Sequence, residues 1–126
     1  MIDKNLERVQ EFTRKVIKKF ARSKTHIKCL NVGCGRALTP YFLKSLKIKF
    51  YGIDIDPSLN YGRKIKFCNL NKHQIPFPNS FFDLAISWFV VEHIKNPTNM
   101  FKEVYRVLKN GGIFIILTSC TVSYTH

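Results

Sequence analysis

The sequence predicts an α/β protein built on an open parallel sheet of about five strands. Three observations carry this expectation. Apolar runs of strand length recur along the chain, the first stopping at Gly33-Cys34-Gly35 and the second, about twenty residues on, at Asp54. Segments with three- and four-residue apolar spacing alternate with those runs, which implies parallel pairing through right-handed crossovers. The last run, Ile113 to Leu117, is continuously apolar, as a buried strand would be.

Residues 3–22 read as an amphipathic helix with Leu6, Val9, Thr13, Val16, Ile17 and Phe20 on one face. Its acids (Asp3, Glu7, Glu11) come early and its bases (Lys15, Lys18, Lys19, Arg22) late, which complements the helix dipole. Ile27 to Val32 is the first strand. Thr39 is expected to cap, and Pro40 to open, a helix running to about Leu46. Strands follow at Ile48 to Ile53, Lys64 to Cys68 and Phe82 to Trp88, the last after a proline-punctuated loop, Asn69 to Ser80. Only Ile55 to Arg63 joins the second and third strands, where a parallel crossover usually takes about a dozen residues or more, so the helix there is expected to be missing. Asn96-Pro97-Thr98 opens a helix with an apolar stripe of Phe101, Val104, Tyr105 and Leu108, which stops at Asn110-Gly111-Gly112. The chain reads as one domain, 1–126, with a basic N-terminal helix (1–26), a core (27–118) and a tail (119–126).

The net charge is +13, from 21 basic and 8 acidic residues. Such a field attracts nucleic acid, anionic membrane surfaces or acidic partners. Lys18, Lys19, Arg22, Lys24 and Lys28 could form a basic docking surface; with no arginine-rich run, simple solvation of these lysines is the plainer reading. Cys29, Cys34, Cys68 and Cys120 show no paired spacing, so no metal site is expected. Free thiols in apolar runs suit a reducing compartment, and a cytoplasmic location is expected. No apolar run approaches the roughly 18 residues of a membrane span.

In an α/β sheet, Gly33-Cys34-Gly35 and Asp54 would lie side by side at the carboxyl ends of adjacent strands. Adenosine-containing cofactors bind there, the acid accepting from two ribose hydroxyls. A dinucleotide fingerprint needs a third glycine where Leu38 stands, whose side chain would obstruct helix–strand packing, so a nicotinamide or flavin dehydrogenase is disfavoured. The shorter pattern G-x-G-x-G fits better, with the small Ala37 in third place.

Five ordered blocks extend this signal. They are Leu30-Asn31-Val32-Gly33-Cys34-Gly35; Gly52-Ile53-Asp54-Ile55-Asp56-Pro57; Cys68-Asn69-Leu70-Asn71-Lys72 with Ile75-Pro76-Phe77-Pro78-Asn79-Ser80-Phe81-Phe82-Asp83; Val91-Glu92-His93-Ile94; and Arg106-Val107-Leu108-Lys109-Asn110-Gly111-Gly112. From about Lys28 to Thr118 the chain resembles the class I S-adenosylmethionine-dependent methyltransferases, in particular the methyltransferase type 11 group. The resemblance implies a Rossmann-like sheet of order 3-2-1-4-5 with flanking helices and S-adenosyl-L-methionine as cofactor. The family fold normally continues into a C-terminal antiparallel strand pair; with only Ser119 to His126 remaining after the fifth strand, that pair is expected to be lacking.

By that resemblance Gly33, Cys34 and Gly35 let the backbone approach the methionine and ribose, and Asp54, with Ile55 beside it, takes the ribose hydroxyls. Asn31 stands where the family more often has an acid near the methionyl end. Asn69 stands where an aspartate usually accepts from the adenine amino group, with Leu70 against the ring. Ser87 and Trp88 border the methyl-transfer site. Both amides can still accept hydrogen bonds, but without the strength of a charged acceptor, which predicts weaker cofactor binding. Asp83 is expected to anchor the entrance of the fourth strand.

Methyl transfer asks the protein mainly for orientation, with a base when the acceptor carries an exchangeable proton. His93 and Glu92 are the candidates by resemblance, against the plainer reading that they order the local helix; His73 is a lesser one. Neither the Asn-Pro-Pro-aromatic block of amino-methylating relatives nor a cytosine-C5-type catalytic cysteine appears. The expected function is methyl transfer to an unidentified acceptor, small-molecule or glycan-type favoured. The alternative is a catalytically inactive cofactor-binding or interaction module acting through a partner chain or its basic surface. A fifth strand left as an exposed apolar edge, 112–118, would favour a homodimer or a partner chain there.

Overall fold

The computed structural model describes residues 4–35, 38–56, 58, 64–88 and 90–118. Five strands, β1 (Ile27–Val32), β2 (Ile48–Asp54), β3 (Ile65–Phe67), β4 (Phe82–Trp88) and β5 (Leu108–Leu117), form one sheet in the order β3-β2-β1-β4-β5. All four pairings are parallel, as the sequence predicts. Helix α1 (Lys4–Ala21) covers one face, where Ile17 packs with Cys29, Leu43, Phe50, Leu84 and Ile86. Helix α2 (Pro97–Val107) covers the other, where Met100, Val104 and Val107 pack with Leu30, Val32, Ile53 and Ala85. The central β1 is therefore buried from both sides, which is why its sequence reads as a near-continuous apolar run. On the buried face of α1, Thr13 Oγ1 donates to the Val9 carbonyl (2.7 Å), so its hydroxyl is satisfied inside the apolar stripe.

Polar contacts lock this packing at the strand entrances. Asp83 Oδ2 accepts from the Lys28 N–H (3.0 Å), and its Oδ1 lies 3.4 Å from Lys109 Nζ, so it anchors β4 between its two neighbours as expected. Glu103, buried in α2, accepts from the Ile75 N–H (2.7 Å) and from Arg106 (2.8 Å). Arg106 also donates to the carbonyls of Ile75 and Phe77 and to Asn79 Oδ1, which fastens the loop before β4 onto α2.

Three local expectations are corrected. No α-helix opens at Thr39 and Pro40: a single 3₁₀ turn, Tyr41–Leu43, forms, and no side chain caps it. Phe42, Leu43 and Leu46 must all reach the core beneath α1 within the short run before β2, and tyrosine, phenylalanine and serine do little to offset helix nucleation. Helix α2 ends at Val107, not at the glycines. Its last carbonyls are taken by the loop before β4 (Ser80 N–H to Arg106, 2.9 Å; Phe81 N–H to Val107, 2.8 Å), and Leu108 turns extended to pair with Phe82. Gly111, with φ of +82°, and Gly112 then form an irregularity before Ile113 pairs with Leu84. The buried stripe of α2 is Met100, Val104 and Val107, while Phe101 and Tyr105 are 46% and 82% exposed. Asn99, which donates to the Leu70 and His73 carbonyls, and the inward Glu103 set the roll of the helix. The expected lack of a helix between β2 and β3 rests mostly on residues outside those described, as do the readings of Ala37, Cys120 and the tail 119–126.

Candidate cofactor-binding site

The carboxyl ends of β1 and β2 meet at the glycine turn. The Gly33 and Cys34 N–H groups both donate to the Ile53 carbonyl (2.8 and 3.2 Å), which ties the turn to β2. Gly35 N–H donates to Asp54 Oδ2 (2.8 Å) and Asp56 N–H to Asp54 Oδ1 (3.0 Å). Asp54 is thus held by two backbone donors, and an ionised carboxylate, with about four lone-pair sites, can still accept from two hydroxyls. Gly33 and Gly35 have φ of +73° and +58°, the left-handed region that favours glycine. A Cβ on Gly33 would lie 2.4 Å from Val90 Cγ2, whereas one on Gly35 would enter open space.

Two cavities flank this turn, and Gly33 lines both. The first, about 230 Å³, is bounded by Asp54, Ile55, Asn69, Leu70, Val90 and His93 among others. The second, also about 230 Å³, is lined by Asn31, Gly33, Cys34, Pro40, Tyr41, Phe42 and Trp88. Asn31 is buried, and its Nδ2 donates to the Leu38 carbonyl (3.0 Å). The Trp88 ring packs on Phe42 with centroids 4.9 Å apart. Ser87 is fully buried, and its Oγ has no hydrogen-bond partner among the described residues.

At the first cavity, Asn69 Oδ1 accepts from the Asn71 N–H (3.0 Å), and Leu70 is buried. The loop carrying both is pinned to the start of α2: Asn71 Oδ1 accepts from the Lys95 and Asn96 N–H groups. His73 Nδ1 accepts from the Asn69 N–H (3.2 Å), so His73 braces the loop. His93, in a 3₁₀ turn at Val91–His93, faces the Asp54 cavity; the exposed Glu92 of the same turn lines neither cavity. Burial, reinforced by the Asp54 charge, pushes the Cys34 thiol up to about 11, so it stays protonated and packs as a small apolar group.

Gly52 is a determinant that sequence reading passed over. A Cβ there would lie 2.4 Å from Cys34 Sγ and 3.0 Å from Leu38 Cδ1. Leu38, which breaks the dinucleotide pattern, is therefore accommodated by a glycine on the neighbouring strand. Asn71, Asn96 and Asn99 mount the loop on the start of α2, a role no local pattern in the sequence announces, because Asn71 lies far along the chain from the other two.

A family model described as "Methyltransferase domain" matches residues 30–116, more than half of the chain. The chain belongs to this methyltransferase family. Sterol 4-C-methyltransferase strm-1 of Caenorhabditis elegans is 29% identical over 102 residues, which cover 72% of this chain and 30% of the relative. Ubiquinone/menaquinone biosynthesis C-methyltransferase UbiE of Coxiella burnetii is 34% identical over 55 residues, 44% of this chain and 22% of the relative. The chain thus spans well under half the length of these curated relatives. A solved SAM-dependent methyltransferase from Aquifex aeolicus shares the fold, with a TM-score of 0.62 at 21% identity over 94% of this chain and 73% of that one.

S-adenosyl-L-methionine is the cofactor of this methyltransferase family. The residues present fit it: a carboxylate at the end of β2, open space beside Gly35, and two cavities joined at Gly33, with a buried, unpartnered hydroxyl at Ser87 on the adjoining strand end. No helix among the described residues is long and apolar enough to cross a membrane.

Proposed function

We propose that this methyltransferase-family chain holds S-adenosyl-L-methionine across both cavities and directs its methyl group to a small-molecule acceptor. The observation that carries the proposal is Asp54, fixed by Gly35 and Asp56 N–H groups and facing the cavity shared with Asn69 and Leu70. In this reading Asp54 accepts from the ribose diol, Leu70 and Ile55 bound the adenine, and Asn69 orients the ring. Asn31, Cys34 and Trp88 enclose the methionyl end, with Ser87 at the adjacent strand end. Bound there, the cofactor supplies a methyl on a positively charged sulfur, already activated toward in-line displacement. The protein's part is to orient the cofactor and exclude water. His93 and Glu92 are the candidates to take a proton from the acceptor; His93, on the Asp54 side, is the nearer to the bound cofactor.

The likeness to a sterol and a ubiquinone/menaquinone C-methyltransferase supports a small-molecule acceptor. The buried, free thiols of Cys29, Cys34 and Cys68 support a reducing, cytoplasmic setting. A second reading, an inactive cofactor-binding module that works through a partner, draws on the sheet edge. There β5 has one neighbour among the described residues, its residues are only half-buried from Gly112 to Leu117, and Phe101 and Tyr105 stand exposed on the adjacent helix. A second copy or a partner chain along this edge would cover them.

Titration calorimetry with S-adenosylmethionine and S-adenosylhomocysteine tests the proposal. Two charge-assisted hydrogen bonds at about 1.5–3 kcal/mol each predict that Asp54→Ala weakens binding by about 100-fold or more, with circular dichroism unchanged. Absence of wild-type binding at millimolar ligand overturns the cofactor reading. Binding without turnover on sterol- and quinone-type acceptors would favour the inactive module.

A further inference from the structure

We propose that the sheet edge opposite the candidate site, where the strands begin, is a docking surface for the phosphodiester backbone of a nucleic acid. A concave cavity of about 850 Å³ lies there, lined by Lys24, Lys28, Lys47, Lys49 and Lys64 together with His26, and among the described residues no acidic one takes part in its wall. Lys28 and Lys49 are register partners on β1 and β2, so their backbones lie one strand spacing apart. Lys64 immediately precedes β3, its carbonyl accepting from the Gly52 N–H. Like charges therefore stand at the entrances of three neighbouring strands, Lys28 and Lys49 level with each other and Lys64 two residues further along.

These charges are positioned but not neutralised. Lys28 Nζ lies 4.2 Å from the centroid of the Phe81 ring, Lys49 Nζ 5.5 Å from that of Tyr51, and Lys24 Nζ 4.9 Å from that of Phe20. A ring face holds an ammonium without cancelling its charge. None of the five lysines forms an ion pair among the described residues, in contrast to Arg106 with Glu103 and Lys109 with Asp83. A nucleic acid carries condensed cations along its phosphates, and adjacent uncompensated lysines that take their place gain the entropy of counterion release.

The form of the surface selects the polyanion. It is concave, and of the apolar residues in its wall Ile27 and Phe50 are buried and Leu38 and Ile48 half-buried, so it projects no exposed apolar side chain for insertion into a bilayer. Its charges are lysines, point donors suited to phosphates rather than the bidentate guanidinium that reads base edges. Backbone binding with little sequence preference follows, and it holds whether or not the opposite edge performs methyl transfer.

The test is fluorescence anisotropy of short labelled RNA and DNA, single-stranded and duplex, over a range of salt concentrations. Lys28→Glu/Lys49→Glu is expected to weaken binding by about tenfold or more and to lower the salt slope by about 2, one per lysine. The same charge change at Lys72 and Lys95, on the far edge, is expected to have a much smaller effect; an equal loss there, or no loss in the first variant, overturns the proposal. Tighter binding to phosphatidylcholine–phosphatidylserine vesicles than to either nucleic acid also overturns it. Lysine acetylation of the wild-type protein gives a readout that needs no variant. Oligonucleotide should protect Lys24, Lys28, Lys47, Lys49 and Lys64 but not Lys72 or Lys95, and uniform protection refutes a defined surface.

Discussion

The two cavities that meet at Gly33 are built by different means. The one at Asp54 carries a formal charge and is mounted by hydrogen bonds: Asp54 holds two backbone N–H groups, and the loop of Asn69 and Leu70 is fastened to α2 through Asn71 and Asn99. The one at Trp88 has no ionised group among the described residues of its lining and is shaped by the Phe42–Trp88 ring contact and by the bond from Asn31 to the Leu38 carbonyl. A ligand spanning both would gain most of its directed, charge-assisted binding on the Asp54 side, and mainly packing and dipoles on the other. The amide at Asn31 explains part of this asymmetry. It donates to a carbonyl, which an ionised acid in its place could not do.

Breaking the mount of the first cavity should have the largest effect. Arg106→Ala leaves the buried Glu103 carboxylate without its cation, a loss of about 3 kcal/mol in denaturant unfolding, with ligand affinity falling as the loop loosens. Acid should mimic it. Burial raises the Glu103 pKa, but hydrogen bonds from Arg106 and the Ile75 N–H and the charges of Arg106 and Lys102 more than offset this, holding it below the usual 4.5. The folded state therefore binds this proton less readily than the unfolded chain does. The resulting stabilisation is complete above about pH 4.5 and drains away as pH falls through the folded value, which a series of melts below pH 5 would record and which Arg106→Ala should flatten.

Next in size is Asn31→Asp, which removes the donor to Leu38 and sets a carboxylate against that carbonyl. It should cost about 1–3 kcal/mol of stability while strengthening the grip on a cationic amino group, so thermal melting and cofactor affinity should move in opposite directions. The smallest change expected is from Asn69→Asp. The aspartate can still accept from the Asn71 N–H, and the charged acceptor should tighten adenosine-containing ligands by up to about tenfold, measured by calorimetry, with little change in melting.

Much of this arrangement was legible in the residues. β1 and β4 match their expected spans because strands buried on both faces have little choice of composition, and Gly33, Gly35 and Asp54 converge because the parallel register brings strand ends together. The segment after Pro40 misled because a cap and a proline signal where a helix can begin, not whether enough chain remains to sustain one. The roll of α2 was invisible to periodicity: Met100–Val104–Val107 and Phe101–Tyr105–Leu108 have the same spacing, and contacts of Asn99 and Glu103 with distant loops chose between them. Gly52 went unread because its importance lies in the side chains of Cys34 and Leu38 across the strand pair, which no local pattern contains.

The bond from the Ile75 N–H to Glu103 has a dynamic consequence. That amide is shielded by a side chain of α2 rather than by a neighbouring strand. Its exchange with solvent deuterium therefore reports the lifting of α2 from the sheet, separately from any opening of the strands themselves. The carbonyls of Ile75 and Phe77 are held by Arg106 of the same helix, so these bonds between loop and helix should break together when α2 lifts. A single slowly exchanging proton, far from the glycine turn, would then measure how often the Asp54 side of the site comes apart.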